Sequence, residues 1–327
     1  MIFVFFNRQC ILLKNKKDAV KRFLSVLFMF VFYALNAADL TIEGPQTFYS
    51  GRESLIAVKT GETSGSLSWN ISYSGAPIAS GEQEISEGLA NIKFTFPETK
   101  PCVIAKAEFN CSIGNEKLQK TLFFYPPNPF TEKKKILEDL SIEVWHTEAD
   151  KGITELFKSL EIPFAEISNF SESKGKVLII VGIDFSNFPG ISDNLLKISS
   201  GGARIIIINP VSGRFPLKTA ELTEAVLAKN GKIKEFGKNF DDESWGGKTP
   251  SSKSLKLASS DGVPVLETDT EQKDFTYCRM QTGKGNLIIC AWDIINLSKD
   301  SPTPLYLLDR LISEDFNKKD HFKKGDK

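Results

Sequence analysis

Gly201-Gly202-Ala203-Arg204-Ile205-Ile206-Ile207-Ile208-Asn209-Pro210 is the stretch on which the fold reading turns. A glycine pair ends a helix. Four consecutive isoleucines then read as a strand buried on both faces, the mark of a parallel sheet covered by helices. In such sheets ligands and catalytic groups gather beyond the carboxyl ends of the strands. That end here is Asn209-Pro210-Val211-Ser212-Gly213, with neither a cysteine nor a histidine beside it.

The flanking sequence alternates strand and helix patterns. Ile142 to His146 reads as a strand, and Asp150 can cap a helix whose Ile153, Leu156, Phe157 and Leu160 form one apolar stripe. Phe164 to Ile167 is a short strand, and Lys176 to Gly182 a central one. A helix near Asp193 to Ser199 leads back to the isoleucines, and another is predicted over Thr219 to Lys229. This order predicts a parallel sheet with right-handed crossovers. Residues 237–262, with Trp245, read as an irregular excursion. Phe275 to Thr282 and Asn286 to Trp292 form a hairpin across Gly283-Lys284-Gly285. Pro304 opens a last helix with Leu305, Leu308, Leu311 and Ile312 facing in.

Residues 38–125 follow another rule. Leu67, Trp69, Ile71 and Tyr73 alternate with polar residues; so do Ala90, Ile92, Phe94 and Phe96, and later Val103 to Cys111. Regular turn signals between them suggest an immunoglobulin-like β-sandwich. Trp69 is the natural core anchor, with an exposed sugar-stacking aromatic as the alternative. Tyr125-Pro126-Pro127-Asn128-Pro129 makes a stiff connector. The predicted division is a signal peptide over 1–37, the sandwich over 38–125, a proline-rich linker and helix start over 126–134, the α/β domain over 135–313 and a charged, disordered tail over 314–327.

The 41 basic and 41 acidic residues balance to zero, but unevenly. Residues 1–37 carry Arg8, Lys14, Lys16, Lys17, Lys21 and Arg22 against Asp18, a net of +5, so the rest carries −5. An acidic body excludes nucleic acid as the expected partner. Basic residues followed by the apolar run Phe23 to Leu35, with small residues near Ala37 and Ala38, match an export signal. That run is shorter than the ~20 residues of a membrane span. The chain is therefore expected to be periplasmic or secreted, meeting a membrane only if this segment stays uncleaved.

Four cysteines follow the signal segment. Cys102 and Cys111 are an odd number of positions apart on one predicted strand and point to opposite faces. Cys278 and Cys290 flank the hairpin, which leaves a cross-strand contact open beside the reading of two buried thiols. No Cys/His spacing fits a zinc site, no glycine fingerprint for a dinucleotide follows a strand, and Gly283-Lys284-Gly285 is a turn without the Walker pattern. No metal or cofactor is expected.

Ile142 to Phe164, Lys176 to Pro210, and Gly283 to Cys290 with Ser301-Pro302-Thr303-Pro304 together carry a resemblance. In their order and spacing they resemble the class I glutamine-amidotransferase-like domains, flavodoxin-like in fold, that occur with secreted glycoside hydrolases. The resemblance implies a mainly parallel sheet covered by helices behind the sandwich. Catalytic members place a cysteine on a strand-to-helix elbow and a histidine later in the chain. Here Pro210-Val211-Ser212-Gly213 stands at the elbow and His146 is the histidine of the folded region. The implied kinship is with non-catalytic members that act as structural or assembly domains of carbohydrate-processing proteins.

His146, Asp184, Asn209, Ser212, Trp292 and Asp293 fall near predicted carboxyl ends of strands. A Ser212–His146 dyad oriented by Asp184 or Asp293 would be a hydrolase site. Asp184 with Asp293 would suit glycoside hydrolysis at ~5–9 Å separation. The plainer readings are helix caps for the acids, a turn for Ser212 and core packing for Trp292. A third reading is a rim that binds without catalysis, Trp292 and Asp293 offering an apolar face with a polar neighbour. The expectation is an exported, non-catalytic binding or assembly protein, its partner a carbohydrate or another exported protein. The alternatives are a degenerate hydrolase with a site rebuilt on this rim and a membrane-tethered scaffold.

Overall fold

In the computed structural model, residues 40–101, 103–217, 222–228, 253–269 and 275–313 are described. The expected signal segment, Cys102, Trp245, most of the expected excursion and the expected charged tail lie outside them. The first eight strands are β1 (Thr41–Glu43), β2 (Thr47–Tyr49), β3 (Glu53–Lys59), β4 (Ser64–Tyr73), β5 (Ala76–Ser86), β6 (Leu89–Thr95), β7 (Ala105–Ile113) and β8 (Glu116–Tyr125). Their order is β1-β3-β6-β5-β4-β7-β8-β2, antiparallel except where β2 joins β8.

β5 and β6 pair only at Ser86 and Leu89, beside the turn that joins them. The sheet opens at that seam, and its two parts face each other across one core. Ile56, Val58, Ile92 and Phe94 on one side meet Leu67, Ile71, Phe109 and Phe124 on the other. The Phe94 and Phe124 rings touch edge-on at 5.8 Å. Alternation dictates this arrangement, because every second residue of β3, β6 and β7 is buried. The result is a β-sandwich, immunoglobulin-like in size and strand number. Trp69 is half-buried at the margin of its core. Its indole lies over Gly81 of β5, where a methyl group would sit 3.3 Å from the ring.

The second half contains α1 (Lys134–Leu140), β9 (Ile142–His146), α2 (Gly152–Ser159), β10 (Ala165–Glu166), β11 (Val177–Val181), α3 (Ile191–Ser200) and β12 (Arg204–Ile208). These are followed by β13 (Arg214–Pro216), β14 (Leu222–Ala228), β15 (Ser254–Ser260), β16 (Val263–Asp269), β17 (Tyr277–Thr282), β18 (Gly285–Cys290), α4 (Ile294–Leu297) and α5 (Thr303–Ser313). Seven strands form the central sheet in the order β10-β9-β11-β12-β18-β17-β14. The pairs from β10 to β18 are parallel; β18–β17 and β17–β14 are antiparallel. β13, β16 and β15 make a separate antiparallel sheet.

This corrects the expected fold class. The mainly parallel, flavodoxin-like sheet covered by helices is replaced by a mixed sheet in a strand-rich chain, and the amidotransferase-like resemblance falls with it. One face is covered by Leu137 of α1, Ile153 and Phe157 of α2, and Leu308 and Leu311 of α5, packed on Val144, Ile179, Ile206 and Ile288. Among the described residues one helix covers the other face. There Leu195 and Leu196 of α3 share the work with Phe215, Leu255 and Leu266 of the small antiparallel sheet. Ile205 to Ile208 are fully buried, and each such side chain is worth ~1.5–3 kcal/mol. A doubly buried strand requires two covers, but it does not say whether a helix or a sheet supplies them.

The helix expected over Thr219 to Lys229 is, in its described part, strand β14. Leu, Glu and Ala in this stretch favour a helix. Pairing with β17, whose edge would otherwise be bare, overrides that preference.

The connector is fixed at several points. The Asn128 amide donates to the Leu160 carbonyl (3.1 Å), and its oxygen accepts from the Phe130 N–H (2.8 Å). The Tyr49 hydroxyl, whose pKa burial pushes up, donates to the Ser298 carbonyl (2.8 Å). The Tyr125 and Tyr306 rings meet at 5.5 Å. Lys133 points inward and holds the buried carboxylate of Asp309 at 2.5 Å.

Candidate functional site

Strand order reverses between β9 and β11, since the chain leaves β9 for β10 on one side and returns to β11 on the other. Connections that diverge in this way open a crevice at the carboxyl ends. His146 ends β9. Its Nδ1 donates to the Thr147 carbonyl (2.8 Å), and its Nε2 lies 3.1 Å from Oε1 of Glu166 on β10. The Thr147 hydroxyl donates to Asp150 (2.5 Å). That carboxylate hangs over Gly182, at the end of β11. With φ of +68° and a would-be methyl 1.7 Å from Asp150 Oδ2, the position admits only glycine without rearrangement.

The next section of the rim is zipped by backbone. The Val211 N–H donates to Ile183 (2.8 Å), and the Phe185 N–H donates to Ser212 (3.0 Å). Asp184 accepts from the Ser186 N–H (2.9 Å) and from the Asn187 side chain (3.3 Å), capping the turn that follows. Ser212 is paired with Asp184 through a parallel backbone bridge; its side chain, then the Ser186 N–H, holds the Asp184 carboxyl below its usual range. Gly213 seals the junction, since a methyl there would sit 2.6 Å from the Ser186 nitrogen.

Asn209 takes a left-handed turn (φ 51°), its N–H bonded to the Cys290 carbonyl at 2.7 Å. Asp293 caps α4 and accepts from the Asn296 side chain (3.0 Å). Trp292 is entirely buried, stacked on Tyr277 at 5.6 Å in the core shared with Leu305 and Leu308.

Of the six expected residues, the structure joins Asp184 to Ser212. It does not join His146 to Ser212, because both ring nitrogens face other partners. Asp184 and Asp293 each cap a separate turn, and Trp292 lies within the core instead of on the rim. Sequence reasoning missed Thr147, Glu166 and the Asp150–Gly182 contact. The glycine directly after an all-apolar strand was the available signal.

Among the described residues no group of His, Cys, Asp and Glu is arranged to hold a metal. Also among them, no helix is long and apolar enough to cross a membrane. Cys111, Cys278 and Cys290 are free, buried thiols. Cys278 pairs with Ile289 and Cys290 with Tyr277, so the two cysteines belong to opposite faces of the sheet and cannot bridge. Burial pushes Cys111 up to about 11 and Cys278 up to about 12, which leaves neither a ready nucleophile.

No family model matches the chain, and no curated protein does. Among solved structures, a chimeric titin Z1Z2–Z1Z2 tandem is 9% identical over 77% of this chain and 98% of its own, with a TM-score of 0.18. The I67–I69 I-band fragment of titin is 9% identical over 77% of this chain and 64% of its own (TM-score 0.19). A putative alpha-galactosidase from Bacteroides fragilis is 11% identical over 53% and 37% (TM-score 0.19). Scores this low carry no argument about fold or activity.

Proposed function

We propose that this chain is an exported, non-catalytic binding or assembly protein whose carboxyl-end rim holds a partner, either a carbohydrate or another exported protein. One observation carries the reading: both ring nitrogens of His146 face Thr147 and Glu166, while Ser212 is paired with Asp184 through the backbone. A serine nucleophile needs a base within reach of its proton; here the histidine is turned to other partners. The rim presents carboxylate acceptors at Asp184, Glu166 and Asp293, which suit ligands rich in hydroxyl or amide donors. Export rests on the basic stretch followed by the apolar run before residue 38.

The test is a hydrolysis screen of the full chain on ester, peptide and glycoside substrates, run beside a glycan array. The expected outcome is no turnover, with glycan or protein binding that weakens in Asp184→Ala. Turnover abolished by Ser212→Ala or His146→Ala would overturn the reading. Amino-terminal sequencing of the mature protein is expected to begin at Ala38 or Asp39, and an intact amino terminus would argue for membrane tethering.

A further inference from the structure

The amino end of the same sheet carries a second candidate, unrelated to the rim. A pocket of about 640 Å³ opens between the segment entering β11 and the turn from α3 into β12. Lys174, Lys176 and Lys197 line it together with Ser171, Ser173 and Asn194. The three lysines are exposed, and none has an ion-pair partner among the described residues. Two exposed lysines of the sandwich lie against acids, Lys59 by Glu43 and Lys93 by Glu53; what sets these three apart is that they share one concavity. In a chain with as many acids as bases, an unneutralised group of three lysines in one concavity is an electrostatic cost with no gain for the fold.

Two acids stand near the pocket, and among the described residues neither forms an ion pair with the three lysines. Glu143 already accepts the Ser173 hydroxyl (2.5 Å) and the Lys174 N–H (3.0 Å). Glu172, at the border, accepts from Asn169 (3.0 Å). Lys197 stands in the last turn of α3 and complements that helix end; Lys174 and Lys176 belong to the segment entering β11, where the Lys176 N–H donates to the Leu140 carbonyl at the end of α1 (3.2 Å). The Asn194 amide donates to the Ser171 oxygen (2.5 Å), leaving the Ser171 proton free to point outward. Gly201 and Gly202 are exposed, so no side chain covers that wall.

From this we infer that the pocket binds an oxyanion group, phosphate or sulfate, held by the Lys174, Lys176 and Lys197 ammonium groups and the Ser171 hydroxyl. Charge-assisted bonds from mobile ammonium groups suit a compact tetrahedral anion. The test is calorimetric titration of the full chain with inorganic phosphate, inorganic sulfate and glucose 6-sulfate at low and high salt. Saturable binding tighter than about 1 mM at low salt is expected, weakened about tenfold by Lys174→Ala, Lys176→Ala or Lys197→Ala and further by salt. Lys93→Ala on the sandwich is expected to bind as the unaltered chain does. A preference among the three probes assigns the group and tells a free anion from one carried on a sugar. Absence of saturable binding for all three, or an equal loss in Lys93→Ala, overturns the inference.

Discussion

The two ends of the seven-stranded sheet are built on opposite principles. At the carboxyl end three of the rim side chains are engaged within the fold: Asp184 by Ser186 and Asn187, His146 by Thr147 and Glu166, and Asp293 by Asn296. At the amino end three lysines line a pocket with no acid to meet them. Polar groups that satisfy one another stabilise the fold; like charges left together do not, and proteins keep such arrangements where a ligand completes them. The end that sequence rules single out for chemistry is thus the self-contained one.

The largest test removes Trp292. As a core residue stacked on Tyr277, its change to Ala should cost about 3–5 kcal/mol in denaturant unfolding. A stable variant that has lost only ligand binding would return Trp292 to the rim. Next comes a pair of glycines. Gly213→Ala, with φ of +93° and the Ser186 nitrogen in the way, should cost about 3 kcal/mol. Gly202→Ala at the amino end meets nothing nearer than 3.8 Å and should cost about 1 kcal/mol for its backbone alone. Equal costs would erase the contrast between a closed rim and an open pocket.

Removing charge should act with opposite signs at the two ends. Asp184→Ala loses a cap and should destabilise by about 1 kcal/mol. Lys174→Gln should leave melting unchanged or raise stability by up to about 0.5 kcal/mol at low salt, through relief of repulsion. The smallest effect is a pH dependence. The Asp184 carboxyl is held below its ordinary 3.8, so its contribution is complete above that value and is lost as pH falls through the lowered one. Carbonyl-carbon NMR titration of Ser212→Ala should move the Asp184 midpoint upward; an unmoved midpoint would remove the serine from the contact.

Several elements are legible in the residues themselves. Four isoleucines in a row mark a strand buried on both faces wherever they occur, and Gly283-Lys284 marks a hairpin turn because the glycine takes a positive φ of 54° there. Alternation in β6 and β7 marks one buried face. The cap role of Asp184 and the packed state of Trp292 agree with the plainer readings of those two residues. What escaped was partnership. Leu222 to Ala228 carries helix-forming residues and becomes a strand because β17 has an open edge. Lys133, of a residue type that lies mostly at surfaces, turns inward because Asp309 lies buried on the last helix.

The sequence by itself determined which segments must be buried and with what period, because side-chain chemistry and backbone geometry act within a few residues. Only the tertiary structure decided what covers those segments: helices on one face of the sheet, and one helix with a second sheet on the other. It also decided that Ser212 meets Asp184 instead of His146, and that Lys197 shares one pocket with Lys174 and Lys176. Those outcomes depend on which strand lies beside which, and strand neighbours are chosen by packing across the whole chain.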